Sequence, residues 1–125
     1  MYILDSNIVI GFLNGDVKIR DWMEKNQMLS FSFQISDITK IEVLSFKKLT
    51  DIQVKDLEDF LNRFSRVQIS NEIVSLAAAI RRKNLLTLGD AVIAATAISH
   101  KSKLVTNDKL LIKKLKGLVE TVSIS

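Results

Sequence analysis

Short apolar runs alternate with longer segments of helical periodicity along this chain. Period-2 alternation or a short continuous apolar run indicates a strand, whereas apolar positions three and four residues apart indicate one face of a helix. The first run delivers Asp5, Ser6 and Asn7 directly after apolar residues. That order is typical of a strand that ends at a helix cap or at a ligand site. Five strands are predicted, near residues 1–4, 30–35, 66–70, 103–106 and 118–124.

Helices are predicted in every interval between these strands, and most of them begin with a side chain that can cap a helix. For the first helix we expect Ser6 or Asn7 to be the cap and Asn14-Gly15 to end the helix. The segment 90–98 is rich in alanine, which predicts a central, buried helix packed closely on the sheet. The predicted helices cover residues 8–13, 16–26, 37–48, 54–64, 71–80, 90–98 and 108–115.

This alternation of strands and helices determines the expected fold class. It favours a mostly parallel sheet whose right-handed crossovers place helices on both faces. We therefore predict an α/β protein, a three-layer α/β/α sandwich with a central, mostly parallel five-stranded sheet. The strand before Asp5 is expected at the centre of the sheet. A length of 125 residues suits one domain with one core, spanning residues 1–125.

Composition narrows the class of protein without fixing its function. The chain is 47% hydrophobic, yet no apolar run approaches the ~18 residues that a membrane span requires. Asp5 and Asn7 interrupt the start of the sequence, where a secretion signal would need an apolar segment. The absence of cysteine excludes thiolate catalysis and cysteine-based zinc sites, and it fits a reducing compartment. We expect a cytoplasmic protein without a membrane partner, whose net charge of +4 favours polyanions only weakly.

Four acids are predicted to face the same edge of the sheet. Asp5 and Asp108 follow the first and fourth strands, so they lie at the carboxyl edge. A crossover helix runs antiparallel to its strands, which places the first turns of the helices carrying Glu42 and Asp90 at the same edge. Ligands of open parallel sheets bind in this crevice. We call these residues the acidic quartet: Asp5, Glu42, Asp90 and Asp108.

Crowded carboxylates repel one another unless a cation lies among them. Oxygen ligands without histidine or cysteine suit hard ions such as Mg²⁺ or Mn²⁺. Such ions can align a phosphodiester, activate a water for in-line attack and stabilise the leaving oxygen. The acidic quartet therefore predicts a metal-dependent nuclease site.

Each acid taken singly has a more ordinary interpretation. Asp5 could be a cap, Asp90 could interact with the helix dipole, Asp108 could be a turn residue and Glu42 could face solvent. Only their joint placement favours a site. In such a site we expect a neighbour of Asp5 to be the helix cap and Asp5 itself to bind metal.

Other chemistry finds little support in the sequence. His100 is the single histidine, and no cysteine, second histidine or nucleophile pairs with it. Four glycines form neither a dinucleotide fingerprint nor a P-loop. A phosphate-accepting receiver domain would need an acceptor aspartate after the third strand, and residues 67–71 contain none.

Four blocks of the sequence resemble, in order, those of PIN-domain ribonucleases, and most closely the VapC-like toxins of toxin–antitoxin pairs. The third block has the pattern D-A-x-I-A-A-T-A, and the later T-x-D adds specificity. The blocks span essentially the whole chain and lie at residues 2–7, 35–44, 88–97 and 104–108.

The resemblance implies that the acidic quartet holds Mg²⁺ or Mn²⁺ and is catalytic, with Thr106 and Ser6 or Asn7 as polar support. It also implies an endoribonuclease that is usually dimeric and is silenced by a cognate antitoxin. Ser6 stands where threonine is common, and Gly89 stands where proline is common. The alternative is a non-catalytic PIN module that binds RNA or a protein partner, but such a module would be expected to lack an acid of the quartet.

The family resemblance changes how surface charge and apolar helices are interpreted. If the quartet binds metal, 18 basic residues outnumber the remaining acids and could dock phosphates, or they could simply be solvated helix faces. Apolar residues on the first and fourth helices could form a dimer or antitoxin groove, or core packing could absorb them. Those apolar residues are Ile8, Val9, Phe12, Leu13, Phe60 and Phe64. The basic candidates are Arg81-Arg82-Lys83, Lys47-Lys48, Lys101 with Lys103, Lys109, Lys113, Lys114 and Lys116.

Overall fold

The computed structural model describes residues 1–27, 33–84 and 86–124, and these contain five strands and seven helices. The elements alternate as the apolar pattern predicted. In chain order they are β1 (Tyr2–Leu4), α1 (Ser6–Leu13), α2 (Val17–Gln27), β2 (Phe33–Ser36), α3 (Asp37–Leu44), α4 (Asp51–Leu61), β3 (Ser65–Val67), α5 (Asn71–Asn84), α6 (Leu88–Ser99), β4 (Lys103–Val105), α7 (Lys109–Lys114) and β5 (Thr121–Val122).

The five strands form one sheet in the order β3-β2-β1-β4-β5. Every pairing among them is parallel, with Tyr2 opposite Phe33 on one side of β1 and Leu4 opposite Val105 on the other. The prediction that β1 lies at the centre is confirmed. Its carboxyl end, and Asp5 with it, therefore lies between the ends of β2 and β4.

Two apolar clusters cover the two faces of the sheet. Successive strand residues point to opposite faces, so Ile3 packs with the cluster that includes α5 and α6, whereas Leu4 packs with α1 and its neighbours. Both side chains are fully buried. This arrangement confirms the three-layer α/β/α sandwich.

The alanine-rich helix α6 is central and buried, as predicted. Residues 91–97 are all buried, because their small side chains let the helix approach the sheet and α5 closely. Thr87 caps α6 by accepting a hydrogen bond from the backbone N–H of Asp90 at 3.2 Å. The cap fixes the first turn of α6, which carries Asp90, at the carboxyl edge of the sheet.

Helix α3 is shorter than predicted and buries a different face. It ends at Leu44 rather than at 48, where Ser45 donates its N–H to the carbonyl oxygen of Glu42 and closes the last turn. Ile41 has the helical spacing of an apolar core position in this segment, yet it is 58% exposed. Thr39 and Val43 are the buried positions, so the face next to Ile41 is free to present Glu42.

The outer strands are also shorter than predicted. The third strand ends at Val67 rather than at residue 70, and the fifth comprises only Thr121–Val122 of the expected 118–124. Each has a single neighbouring strand, so pairing ends where that neighbour ends. Of the second predicted strand, residues 30–32 lie outside the described residues, and the rest is confirmed and extended by one residue as Phe33–Ser36.

The aromatic residues of α1 and α4 pack against each other. The rings of Phe12 and Phe60 stack with centroids 5.6 Å apart, and Phe64 meets Phe60 edge-on at 5.4 Å. Ile8 and Val9 are buried under them. Core packing thus absorbs most of this apolar surface. In the described ranges, no helix combines the length and apolar character that a bilayer crossing requires.

Candidate active site

Asp5 lies where the central strand passes into α1. Its backbone N–H continues the ladder by donating to the carbonyl oxygen of Val105 at 3.0 Å, and its side chain is buried. Its Oδ1 accepts from the N–H of Ser6 at 2.8 Å, which makes Asp5 the N-cap of α1. The prediction that Ser6 or Asn7 caps this helix is therefore wrong. Asp5 is the residue with extended backbone at the junction, so only its carboxylate reaches the free N–H groups.

Thr106 and Asn7 hold the other carboxylate oxygen of Asp5. Thr106 Oγ1 donates to Oδ2 of Asp5 at 2.8 Å, and Asn7 Nδ2 donates to the same oxygen at 2.9 Å. Asn7 Nδ2 also lies 3.1 Å from Thr106 Oγ1. Both residues thus fix the orientation of Asp5, whereas Ser6 contributes its backbone N–H.

Asn107 is a structural residue that the sequence motifs did not single out. Its backbone N–H donates to Oδ1 of Asn7 at 3.1 Å, and its own Oδ1 accepts from the N–H of Ile124 at 2.7 Å. It therefore joins the start of α1, the loop after β4 and the segment after β5. Asparagine is a common turn residue, so its presence in a loop does not by itself indicate this link.

Asp108 is tied to the same hydroxyl group. Its N–H donates to Thr106 Oγ1 at 3.1 Å, and its Oδ1 caps α7 by accepting from the N–H of Leu111 at 3.1 Å. No described residue hydrogen-bonds to its second carboxylate oxygen. Asp108 thus serves as the cap of α7, whereas the sequence suggested a turn residue as its alternative role, and it keeps one oxygen free.

Glu42 and Asp90 complete the group from α3 and α6. Glu42 is exposed and Asp90 is half-buried, and within the described chain neither carboxylate accepts a hydrogen bond or joins an ion pair. A buried hydroxyl links α3 to the central strand, because Thr39 Oγ1 donates to the carbonyl oxygen of Leu4 at 3.4 Å. That contact is one helical turn from Glu42 and one residue from Asp5.

The four acids interact electrostatically. Burial is the largest cause that raises the pKa of Asp5, the hydrogen bonds from Thr106 and Ser6 oppose it, and the charges of Asp90 and Asp108 raise the pKa further. Glu42 is exposed as a whole residue, but its carboxyl group is partly buried, and this burial raises the pKa of Glu42. The charges of Asp5 and Asp90 raise that pKa further. The structure therefore places Glu42, Asp90 and Asp108 within electrostatic range of Asp5.

No cation neutralises these acids within the described chain. The ion pairs there join Arg66 to Asp37 and Lys103 to Glu120, and none involves the quartet. Among the same residues, no three acidic or histidine side chains stand close enough to form a closed metal cluster. A donor set made only of carboxylate oxygens nevertheless fits Mg²⁺, which keeps several water ligands and takes as few as one or two carboxylates.

Asp37 belongs to a separate pair that sequence reasoning missed. Ser36 caps α3, and Asp37 binds Arg66 through two hydrogen bonds of 2.6 and 3.0 Å. The bidentate guanidinium contact holds the pKa of Asp37 below its usual range. The partners are 29 residues apart, so no local pattern indicated the pair.

Comparison with known proteins identifies the family. The PIN domain family model matches residues 2–117, so this chain belongs to the PIN domain family. The resemblance stated from the sequence motifs is thereby confirmed. No curated protein sequence matches the chain.

Solved structures of toxin–antitoxin complexes contain chains with a similar fold. A chain in a toxin–antitoxin complex from Klebsiella pneumoniae is 29% identical, with a TM-score of 0.80 over 98% of this chain and 96% of that chain. VapBC2 from Rickettsia felis, bound to a DNA fragment from its promoter, gives 23% identity and a TM-score of 0.81 over 99% and 98%. A chain in DNA-bound VapBC from Salmonella typhimurium is 20% identical, with a TM-score of 0.77 over 98% of this chain and 96% of that chain. These similarities agree with the three-layer fold.

Proposed function

We propose that the protein is a Mg²⁺- or Mn²⁺-dependent endoribonuclease and the toxin of a type II toxin–antitoxin pair, with residues 1–125 as one nuclease domain. The observation that carries the proposal is the electrostatic coupling of four carboxylates, without a cationic partner in the described chain, at the carboxyl edge of a PIN-family sheet. The bound ion would supply charge neutralisation and Lewis acidity at the phosphodiester. Its proposed ligands and catalytic residues are Asp5, Glu42, Asp90 and Asp108.

The four proposed ligands differ in how firmly the protein holds them. A carboxylate has about four lone-pair positions, and three hydrogen bonds to Asp5 leave about one for a metal. Asp108 uses one oxygen as a cap. Glu42 and Asp90 accept no hydrogen bond from the described residues. In this proposal Asp5, supported by Thr106, Asn7 and the N–H of Ser6, sets the position of the site, and the two freer acids adjust to the ion and substrate.

An antitoxin is the proposed protein partner, and a homodimer is the proposed assembly, in a cytoplasmic setting. Similarity to chains of toxin–antitoxin complexes supports the partner. An apolar cleft of about 180 Å³ between α1, α3 and the segment before α4 adds support, because it offers a protein-binding surface. Ile10, Leu13, Val43 and Phe46 line it, and Phe46 is 53% exposed. Co-purification with the product of a short neighbouring reading frame would test this assignment.

The enzymatic proposal is tested with purified protein and structured RNAs in Mg²⁺ or Mn²⁺, with EDTA as the metal-free control. We expect Asp5→Asn and Asp90→Asn each to lower cleavage about 100-fold or more, because loss of even an outer-shell partner of a metal site costs about 10–100-fold. Asp56→Asn is the matched control, because Asp56 is an exposed acid on α4. Cleavage that survives both site substitutions would refute the proposal. RNA binding without cleavage by the unaltered protein would favour the non-catalytic PIN module instead.

A further inference from the structure

Three consecutive basic residues occupy the last turn of α5. Arg81, Arg82 and Lys83 are exposed, and none of them forms an ion pair with a described residue. Cations at a helix C-terminus gain from the helix dipole, whose charge there is about −0.5. Three full positive charges exceed that partial charge, so the end of α5 keeps a net positive surface. We call these residues the edge cluster.

The edge cluster lies beside the acidic quartet. Three residues link α5 to α6, whose first turn carries Asp90. Arg81 Nε donates to the carbonyl oxygen of Leu86 at 3.4 Å, which folds its side chain onto this link. Asp90 is the fourth residue after Leu86, so their Cα atoms are at most about 14 Å apart. Positive and negative surfaces therefore meet at the start of α6.

Among the other basic candidates, Lys109 also lies at this edge, as a single charge, because it directly follows Asp108. Lys103 begins β4, so it lies at the opposite edge of the sheet, and it pairs with Glu120 at 3.4 Å. Lys113 and Lys114 end α7, whose first residue follows Asp108. These two lysines are exposed and, like the edge cluster, occupy the last turn of a helix. They lie at the end of α7 opposite to its cap, Asp108.

We propose that the edge cluster docks the phosphates of an RNA strand and thereby delivers the adjacent phosphodiester to the acidic quartet. This inference rests on the proposed nuclease function and adds the path by which the substrate enters. Arg82 and Lys83 are the contacts to the RNA, since Arg81 is partly used by the carbonyl of Leu86. Phosphates repelled by the quartet need such a neighbouring attractive surface, because the acids themselves disfavour a polyanion.

The test compares two double variants that each remove two positive charges from the last turn of a helix. Arg82→Ala/Lys83→Ala changes the edge cluster, and Lys113→Ala/Lys114→Ala is the matched control. Binding of a fluorescent single-stranded RNA is measured in EDTA, which blocks metal-dependent cleavage, over a series of salt concentrations. We expect the edge variant to bind about 10-fold more weakly and to lose about 1.4 from its log–log salt slope, since each phosphate contact contributes about 0.7. The control variant should stay within about twofold.

Cleavage in Mg²⁺ gives an independent measurement. We expect the edge variant to raise KM about 10-fold and to leave kcat within about twofold, because docking precedes the chemical step. The charge-preserving variant Arg82→Lys/Lys83→Arg should restore binding to within about threefold. If the double variant does not fold, Arg82→Gln alone should still weaken binding severalfold.

The outcomes separate this inference from the proposed function. Equal losses in the edge and control variants would overturn the docking proposal, since they would indicate non-specific attraction. A fall in kcat with unchanged KM would also overturn it. Absence of cleavage by the unaltered protein would refute the nuclease proposal, while the binding series would still show whether RNA prefers the edge cluster.

Discussion

The hydroxyl group of Thr106 offers the sharpest test of how the site is held together. It is fully buried, it donates to the carboxylate of Asp5, and it accepts from Asn7 Nδ2 and from the N–H of Asp108. Thr106→Val keeps the branched shape but removes all three contacts. We expect this single change to destabilise the protein and to disorder the carboxylate of Asp5.

The expected loss follows from these contacts. A hydrogen bond to a charged group contributes about 1.5–3 kcal/mol, and the N–H of Asp108, near solvent, loses up to about 1 kcal/mol more. The added methyl group offsets less than about 1 kcal/mol. The free energy of unfolding should therefore fall by about 1–3 kcal/mol, which corresponds to a decrease in Tm of about 4–12 °C for a chain of this size.

Urea and thermal unfolding at pH 7 in EDTA would measure this loss. Thr96→Val is the matched control, because Thr96 is also buried but its hydroxyl donates to the carbonyl of Val92, a neutral acceptor within α6, at 2.7 Å. That bond should contribute only about 1 kcal/mol. Thr106→Ser, which keeps the hydroxyl, should be the milder of the two Thr106 variants. If Thr106→Val costs no more than Thr96→Val, the proposed role of the hydroxyl is wrong.

Three further predictions concern charge at the site. In EDTA at pH 7, Glu42→Gln should raise Tm because it removes repulsion with Asp5 and Asp90. The control Glu58→Gln changes an exposed acid on α4 and should leave Tm unchanged. A lower Tm for Glu42→Gln would contradict the electrostatic account. The raised pKa values of Asp5 and Glu42 mean that the folded protein binds these protons more tightly than the unfolded chain does. Their contribution to stability should therefore increase as pH falls from neutral through the raised pKa values, and it should be complete below the ordinary carboxyl range. It should be lost as pH rises again. A pH series of Tm in EDTA, with the Asp5→Asn/Glu42→Gln variant as reference, would measure this trend, and a reversed trend would contradict the prediction. Finally, Mg²⁺ at 100 times its Kd should stabilise the unaltered protein by about 2.7 kcal/mol, and Asp5→Asn should show little of this gain; equal stabilisation of both by calorimetry would place the ion elsewhere.

The sequence was informative where a single residue or the spacing of apolar residues determines the local structure. The position of Asp5 after an apolar run predicted the central strand, and the alanines before Ile98 predicted a buried helix. The common edge of the quartet followed from the ends of two strands and from the direction of the crossover helices. These features depend on chain direction and on local pattern, which a sequence carries in full.

Other features depend on partners that are distant in sequence. The bidentate contact joins Arg66 of β3 to Asp37 of α3. No pattern in the sequence near either residue indicates this contact. The ends of β3 and β5 depend on where the neighbouring strands stop. The capping role of Asp5 depends on the backbone angles at the junction. Three adjacent residues there can each cap a helix, so the sequence did not determine which of them does. Long-range packing and local dihedral angles therefore decided these points.

The bond between Thr106 and Asp5 also has a consequence for folding. It joins residues separated by 101 positions, so closing it restricts a loop that spans most of the chain. Contacts between residues so distant in sequence form late in folding, because the entropy of loop closure is lost before neighbouring contacts can stabilise the structure. A growing chain contains Asp5 101 positions before it contains Thr106, so the hydroxyl that orients this acid is absent until β4 has been made. If the proposed activity is correct, synthesis therefore produces a chain whose site stays unassembled until the sheet is nearly complete.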